Sequence, residues 1–366
     1  MKFTCSKNEL KEAVQICEKN TGKNLNLVVL SNILLDCADK ILKLTATNLE
    51  TAVEVEIPTK TEKEGKITIP GSVLSGFLSN NSVNEEITLE SQNNNLIIST
   101  SNTSITIKGQ PADDFPTLPI IKSEDESVIN CADFVSGLKS VWYSCSNSII
   151  KPEIASVLIQ SNKSASLIFA ATDSFRLAEK RFDYNLNNFG KVLLPFKSVA
   201  EILRIFDGVF DKLKIKTNKN QINIESDNIK FISRLIDGVF PDYQQILPKK
   251  FTADVVVKNN DFTNALKSTA MFSGKLNELV FSLNPEENFI VLKTANNEIG
   301  DCVVKIPAKI TGEKIKITFN HRYIQDCLQA VNNNDILLRF CGEMKPLLIT
   351  SLNNNTFQYL VMPMSI

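Results

Sequence analysis

The sequence predicts an α+β protein built from three repeated domains, each with two helices and antiparallel strands. Recurring phrases, alternating apolar patterns and chain length carry that prediction. The phrase "KITIPGSVLSGFL" starts at Lys66 and returns as "KVLLPFKSVAEIL" from Lys191 and "KITFNHRYIQDCL" from Lys316, 125 residues apart each time. Leu10-Lys11, Leu138-Lys139 and Leu266-Lys267 recur every 128 residues. "TATNLE" (45–50), "AATDSF" (170–175) and "KTANNE" (293–298) form a third landmark, and Phe115-Pro116 returns as Phe240-Pro241. A fixed period of this kind sets the fold before any motif does. The 366 residues also exceed what one core usually organises. The expected domains are 1–121, 122–249 and 250–366.

Each copy opens with an amphipathic helix, as Leu10, Ala13, Val14 and Cys17 fall at helical spacing. Strand-like runs follow, "ILKLTAT" and "TAVEVEI" in copy one. A second helix begins after Pro70, Pro195 or Asn320, residues suited to helix starts. The copies then return to strands: "EEITLES" and "NLIIST", "KLKIKT" and "QINIES", "DILLRF" and "PLLITS". Their alternation fits half-buried antiparallel strands joined by Asn-rich hairpins. "FPTLP" (115–119) and "FPDYQQILP" (240–248) read as connectors, since proline favours extended backbone before it. Triplication alone is also compatible with simple growth of a fold. A row of three units, however, leaves sheet edges open at both ends. A two-fold dimer would close the row into six units.

The 40 basic and 41 acidic side chains nearly cancel, so no overall basic field draws the chain to nucleic acid or anionic membrane. Eight cysteines form no CxxC pair and read as buried thiols of a reducing compartment. No run approaches the roughly 20 apolar residues of a membrane span, and the start, Met1-Lys2-Phe3-Thr4, lacks a signal-peptide core. A cytoplasmic location without membrane partners is expected. Catalysis is not expected. His321 is the single histidine and stands at a helix start, where a solvated or capping role fits it. GxGxxG, GxxxxGK[ST] and HExxH are absent, and the cysteines lack metal-ligand spacing. Two other classes stay open from the residues alone: a repeat-built scaffold unrelated to DNA, and a hydrolase using dispersed carboxylates.

Over essentially its whole length the chain resembles the bacterial sliding clamps, the β subunits of the replicative DNA polymerase. The resemblance rests on "MKFTCSKNEL", "VLSNILL", "LTATNLE", "ATDSFRLA", "LIDGVFPDYQQILP" and "YLVMPMSI", in family order. It implies a head-to-tail homodimeric ring of six similar domains, with helices lining the hole and a continuous outer sheet. No cofactor or metal is implied, and loading depends on another protein's ATP hydrolysis. Such a ring encircles duplex DNA without reading sequence, so weak phosphate contacts allow sliding. Windows 7–23, 66–79, 131–151, 191–207, 258–275 and 314–330 hold the proposed helices and together carry a formal charge of +8. Because the whole chain is −1, the remainder carries −9. The DNA-facing candidates are Lys11, Lys139 and Lys267 at equivalent repeat positions, Lys197 and Arg322 on the second helices, and Lys23 in a loop.

The resemblance also implies an apolar groove that receives short peptides from the replicative polymerase, the clamp loader and other partners. Carried over by motif, its residues are Ile154, Thr172, Ser174, Phe175, Arg176, Leu177, Pro241, Ile246, Leu360, Val361, Met362, Pro363 and Met364. Aliphatic and Met side chains would hold a partner's leucine or phenylalanine, while polar edges orient its backbone. The chain departs from common family wording at Phe175, where histidine is frequent, and at Gln245, where a basic residue is frequent. By position, Ile105 and Ile107 would meet Met271 and Phe272 of a second copy across the dimer interface. Alternating isoleucines are equally the inward face of one domain.

Overall fold

The computed structural model describes residues 1–22, 27–80, 86–119, 121, 126–148, 150–162, 166–184, 186, 189–209, 211–331, 333–352 and 354–365. Two helices fall in each repeat: α1 (Lys7–Lys19) and α2 (Gly71–Asn80), α3 (Cys131–Val141) and α4 (Phe196–Phe206), α5 (Asn259–Ala270) and α6 (His321–Leu328). On α1 the buried face contains Leu10, Ala13, Val14 and Cys17, as the spacing requires. Pro70 and Pro195 close the strands that lead into α2 and α4. At α6 the Asn320 side chain accepts the Arg322 amide at 3.0 Å, a true side-chain cap.

Two compact units are present. The first comprises residues 1–132 and 200–235, the second residues 133–199 and 236–366. Unit 1 contains a five-stranded sheet with Lys60–Lys63 and Ser104–Lys108 as its edges. It also contains an eight-stranded sheet running from Ser127–Asn130 to Gly65–Pro70. Unit 2 has one twelve-stranded sheet with edges Lys191–Pro195 and Ile315–Asn320. These counts refer to the described residues, and every named strand pair in them is antiparallel.

Within each unit the sheet crosses from one repeat to the next through one strand pair. In unit 1, Thr51–Pro58 of the first repeat pairs with Ile229–Arg234 of the second, with Thr51 opposite Ser233 and Val53 opposite Phe231. In unit 2, Arg176–Asp183 of the second repeat pairs with Asn354–Val361 of the third, with Arg176 opposite Val361 and Leu177 opposite Leu360. The two junctions are copies of one design. Just past each pairing, one more backbone bond forms: Arg234 N to Glu50 O at 2.9 Å, and Met362 N to Phe175 O at 2.8 Å.

The core of unit 2 also explains one glycine. A Cβ on Gly137 of α3 would lie 2.5 Å from the Phe169 ring, which is edge-on to Phe134 (5.7 Å) and Phe182 (6.0 Å). Neighbouring rings on both sides leave Phe169 little room to retreat. Gly137→Ala gains about 1 kcal/mol of helix propensity, against an overpacking cost of about 1–3 kcal/mol. The expected result is a lower urea midpoint for Gly137→Ala and a larger drop for Gly137→Val. An unchanged midpoint in both would show that the ring yields freely.

Candidate functional site

Most of the groove candidates come together where the second and third repeats join in unit 2. The turn between strands Ser166–Thr172 and Arg176–Asp183 is built by short polar side chains. Thr172 Oγ1 donates to the Arg176 carbonyl at 2.7 Å and accepts the Ser174 amide at 3.2 Å. Asp173 Oδ1 accepts the amides of Phe175 and Arg176 at 2.9 and 3.0 Å. These bonds hold Ser174 at φ 79°, a left-handed conformation that side-chain-bearing residues adopt at a cost. The turn thereby presents Phe175, which is 60 % exposed, beside Met362, 40 % exposed.

Leu177 and Leu360 form the floor beneath this rim, facing each other across the strand pair. They are buried in one cluster with Leu158, Ala170, Leu193 and Leu348, and the connector adds Phe240 and Tyr243. Pro241 is exposed, and Ile246, 56 % exposed, stands just past the turn Tyr243–Gln245. Pro363 and Met364 are half-buried, and the Met364 amide donates to Thr318 O at 2.9 Å, which seats the chain's last described segment. Ile154 is buried on a separate segment, bonded through its backbone to Lys151 (3.2 Å) and Ser146 (2.9 Å).

Arg176 takes an inward position that the sequence did not reveal. Its Nε meets Asp173 (2.9 Å), Nη1 meets Asp326 (2.5 Å), and Nη2 donates to the Tyr143 carbonyl (2.6 Å). The guanidinium also lies 4.5 Å from the centre of the Tyr323 ring, within cation–π range. Its charge stiffens the turn and joins it to α6 and does not face the rim. Tyr143, Tyr323, Asp326 and Asp173 are the functional neighbours that sequence reading missed. Asp173 is three residues before Arg176 in the same turn, whereas Tyr143, Tyr323 and Asp326 come from remote segments that no local spacing relates to Arg176.

Unit 1 repeats the turn almost atom for atom. Thr47 Oγ1 donates to the Thr51 carbonyl at 2.8 Å, and Asn48 Oδ1 accepts the amides of Glu50 and Thr51 at 2.9 and 2.7 Å. Leu49 occupies the left-handed position with φ 73°. Thr51 replaces Arg176, and its hydroxyl donates to Asn20 Oδ1 at 3.2 Å.

The basic candidates are all on helices, apart from Lys23, which lies outside the described residues. Lys11 on α1 is half-buried, while Lys139 on α3, Lys197 on α4, Lys267 on α5 and Arg322 on α6 are exposed. Lys197 and Arg322 are second residues of their helices. A cation there opposes the helix dipole, a local cost of about 0.3–1 kcal/mol. Of the interface candidates, Ile105 is half-buried and Ile107 already buried within its own domain, both on an edge strand. Met271 is 73 % exposed at the end of α5, followed by half-buried Phe272.

His321 corrects a sequence expectation. It is buried, not solvated, and its Nε2 lies 3.0 Å from Ser273 Oγ, immediately after Phe272. The cap at this helix is Asn320. His321 Nδ1 is buried without a hydrogen-bond partner. All eight cysteines are free, and burial pushes the Cys5 and Cys145 thiols up to about 12, which removes nucleophilic character at neutral pH. Among the described residues, no group of three or more His, Cys, Asp or Glu is placed to hold a metal. No described helix is long and apolar enough to cross a membrane.

Repeats spliced edge to edge by strand pairs, with paired helices in each, define the DNA clamp fold. The profile for the DNA polymerase III beta subunit matches along the chain as N-terminal domain (1–119), central domain (129–242) and C-terminal domain (244–365). The chain belongs to this family. A beta sliding clamp from Synechococcus elongatus is 27% identical over 375 residues, covering 100% of both chains. The crystal structure of the Bacillus subtilis DNA polymerase sliding clamp superposes with a TM-score of 0.94 at 26% identity, over 100% of this chain and 99% of that one. A sliding clamp from Pseudomonas aeruginosa, solved bound to griselimycin, gives 0.95 at 23% identity over 100% of both.

The buried histidine generates a pH dependence. Burial first, then Arg322, holds the His321 pKa below the ordinary histidine value, with Asp326 opposing them. The unfolded chain therefore binds the proton more readily, so stability is full above about pH 6.5 and falls as pH drops below it. Calorimetry between pH 7.5 and 5 should show a declining Tm whose slope is reduced in His321→Gln. Equal slopes in both proteins would remove His321 as the cause.

Proposed function

We propose that this chain acts as a sliding clamp: a homodimeric ring that encloses duplex DNA and tethers the replicative polymerase, the clamp loader and other proteins through short peptides. The assigned domains are 1–121, 122–249 and 250–366. The protein is not an enzyme and has no cofactor in this role, and it works in the cytoplasm. Its contribution is enclosure, which keeps a partner at the template without strong adhesion to any base.

One observation carries the reading. Two junctions with the same strand pairing lie within the chain, and among the described residues the two halves of a third each leave one edge unpaired. The donor half is strand Gly300–Gly312, whose residues 300–307 pair only with Phe289–Asn296 among the described residues, and pairing to Ala253–Lys258 begins at Ala308. The acceptor half is edge strand Ser104–Lys108. Such edges expose backbone donors and acceptors that proteins usually cover or pair. A second copy supplies the missing partner at each end.

The repeats also support one register for the second copy. Thr51 meets Ser233 and Arg176 meets Val361. Ser233 pairs onward with Ile222 and Val361 with Leu347, as Ile107 does with Leu96. Gly300 is the third-repeat equivalent of Thr51 and Arg176, one residue later because its turn is longer: Ala295 pairs with Asp301 where Thr47 pairs with Ala52. By this rule Gly300 faces Ile107, Asp301 faces Thr106 and Cys302 faces Ile105 of the second copy. Met271 and Phe272 then cover the isoleucines.

The exposed Lys139, Lys197, Lys267 and Arg322, with Lys11 and Lys23, supply the weak phosphate contacts. A cation at a helix start meets an anion that the helix dipole also attracts, which offsets the local cost at Lys197 and Arg322. The groove of Thr172, Ser174, Phe175, Leu177, Pro241, Ile246, Leu360, Val361, Met362, Pro363 and Met364, with Ile154 and Arg176 behind it, receives the peptide.

The register supplies a direct test. In the Ile105→Cys protein, mild oxidation should join the new thiol to native Cys302 of the second copy, since directly opposed strand residues lie within disulfide reach. A covalent dimer retained on nicked circular DNA and lost from linear DNA is expected. A product that stays monomeric on a non-reducing gel overturns the register, and equal retention on both DNAs overturns enclosure. In a separate experiment, replacing Lys139, Lys197, Lys267 and Arg322 together should lower retention at least tenfold at moderate salt while leaving the dimer mass unchanged.

A further inference from the structure

Strand Arg176–Asp183 carries a carboxylate where its alternation calls for an apolar residue. Leu177, Glu179 and Arg181 lie on one face, and Leu360 and Gln358 oppose the first two. Glu179 is 1 % exposed. Its Oε2 accepts the Tyr243 hydroxyl at 2.5 Å, and its Oε1 accepts Arg181 Nε and Gln358 Nε2, each at 2.6 Å. A carboxylate removed from water is costly unless donors replace its hydration. Here three donors do so, from three segments: its own strand, the strand Asn354–Val361 and the connector 240–248.

The connector bond has the functional consequence. Tyr243 opens the turn Tyr243–Gln245, and the Ile246 amide returns to Tyr243 O at 3.1 Å. The position of Ile246 on the groove rim is therefore set by the residue whose hydroxyl Glu179 holds. Contacts of the Phe240 and Tyr243 rings with Leu177 and Leu360 also hold the connector, but apolar contacts are non-directional and do not fix its height or register. Burial first, then Glu179, raises the Tyr243 pKa, so the phenol remains a proton donor at neutral pH.

The first junction is an internal control. Glu54 is the repeat equivalent of Glu179 and lies opposite Lys230, where Glu179 lies opposite Gln358. It is 3.7 Å from Lys230 Nζ. The first connector reads Phe115-Pro116-Thr117-Leu118 where the second reads Phe240-Pro241-Asp242-Tyr243. Leu118 has no hydroxyl to offer. Among the described residues the latch is found where a tyrosine accompanies the glutamate, at the junction of the proposed groove.

We infer that Glu179 is a positioning residue that fixes the 240–248 wall of the groove through Tyr243, and so determines how tightly an apolar peptide anchor is gripped. The inference rests on the groove being the peptide site. Its test uses the full-length dimer with Tyr243→Phe and Glu179→Gln, which change few atoms, and two readouts. Hydrogen exchange across residues 242–247 should accelerate about tenfold in Tyr243→Phe, and a synthetic pentapeptide ending in Leu-Phe should bind about tenfold more weakly. Glu179→Gln, which keeps an acceptor, should fall between wild type and Tyr243→Phe in both. Wild-type exchange in Tyr243→Phe overturns the latch. Faster exchange with unchanged affinity overturns its role in gripping peptide. Should the wild-type dimer bind no such peptide, the groove reading fails, while the exchange measurement still decides whether Glu179 holds the connector.

Discussion

A strand edge with unpaired amides and carbonyls must find a partner, and the organisation of this chain follows from that constraint. Each repeat carries a strand that offers an edge and another that accepts one. Within unit 1 the first repeat offers Thr51–Pro58 to Ile229–Arg234. Within unit 2 the second offers Arg176–Asp183 to Asn354–Val361. The third repeat still offers Gly300–Gly312, and the first still accepts at Ser104–Lys108. The proposed assembly would thus draw on the same backbone chemistry as the fold.

The two junctions differ where their side chains meet the helices. In unit 2, Arg176 is surrounded by two carboxylates, a carbonyl and an aromatic face. In unit 1 the equivalent Thr51 bonds to Asn20, whose amide nitrogen lies 3.4 Å from Glu201. Arg204 completes that cluster, meeting Glu201 at 2.6 Å and the Ile16 carbonyl at 3.1 Å. One backbone frame therefore supports a neutral residue, Thr51, bonded to an amide in one unit and a buried guanidinium with an aromatic face in the other. Only the second is flanked by exposed Phe175, Met362 and Ile246. The frame is shared, and the side chains around it differ between the two copies.

Much of this was legible in the residues. "ILKLTAT", "KLKIKT" and "DILLRF" coincide with strands residue for residue, because period-two alternation and β-branched content agree there. The α1 face followed from the spacing of Leu10, Ala13, Val14 and Cys17. Pairing between Thr51–Pro58 and Ile229–Arg234 was not legible, since nothing local links segments so distant in sequence. The inward direction of Arg176 was hidden for the same reason. Asp326 and Tyr143 are remote in the chain, and the motif alone placed Arg176 among the groove residues. His321 misled because a polar residue at a helix start usually faces water, whereas here Asn320 takes that task. Glu179 left a faint signal, a charge in register with Leu177. Its meaning depended on Tyr243, whose hydroxyl reaches it from another segment.

The inward commitment of Arg176 has a consequence for how two kinds of grip respond to their surroundings. With that guanidinium neutralised by Asp173 and Asp326, the proposed groove floor is left to Leu177 and Leu360, whose hold on a guest would depend on water exclusion and shape. Contacts between exposed lysines and phosphates instead weaken steeply as counterions accumulate. If the proposed lysines and groove act as assigned, added salt would loosen the ring's drag along the double helix while its passengers stay aboard.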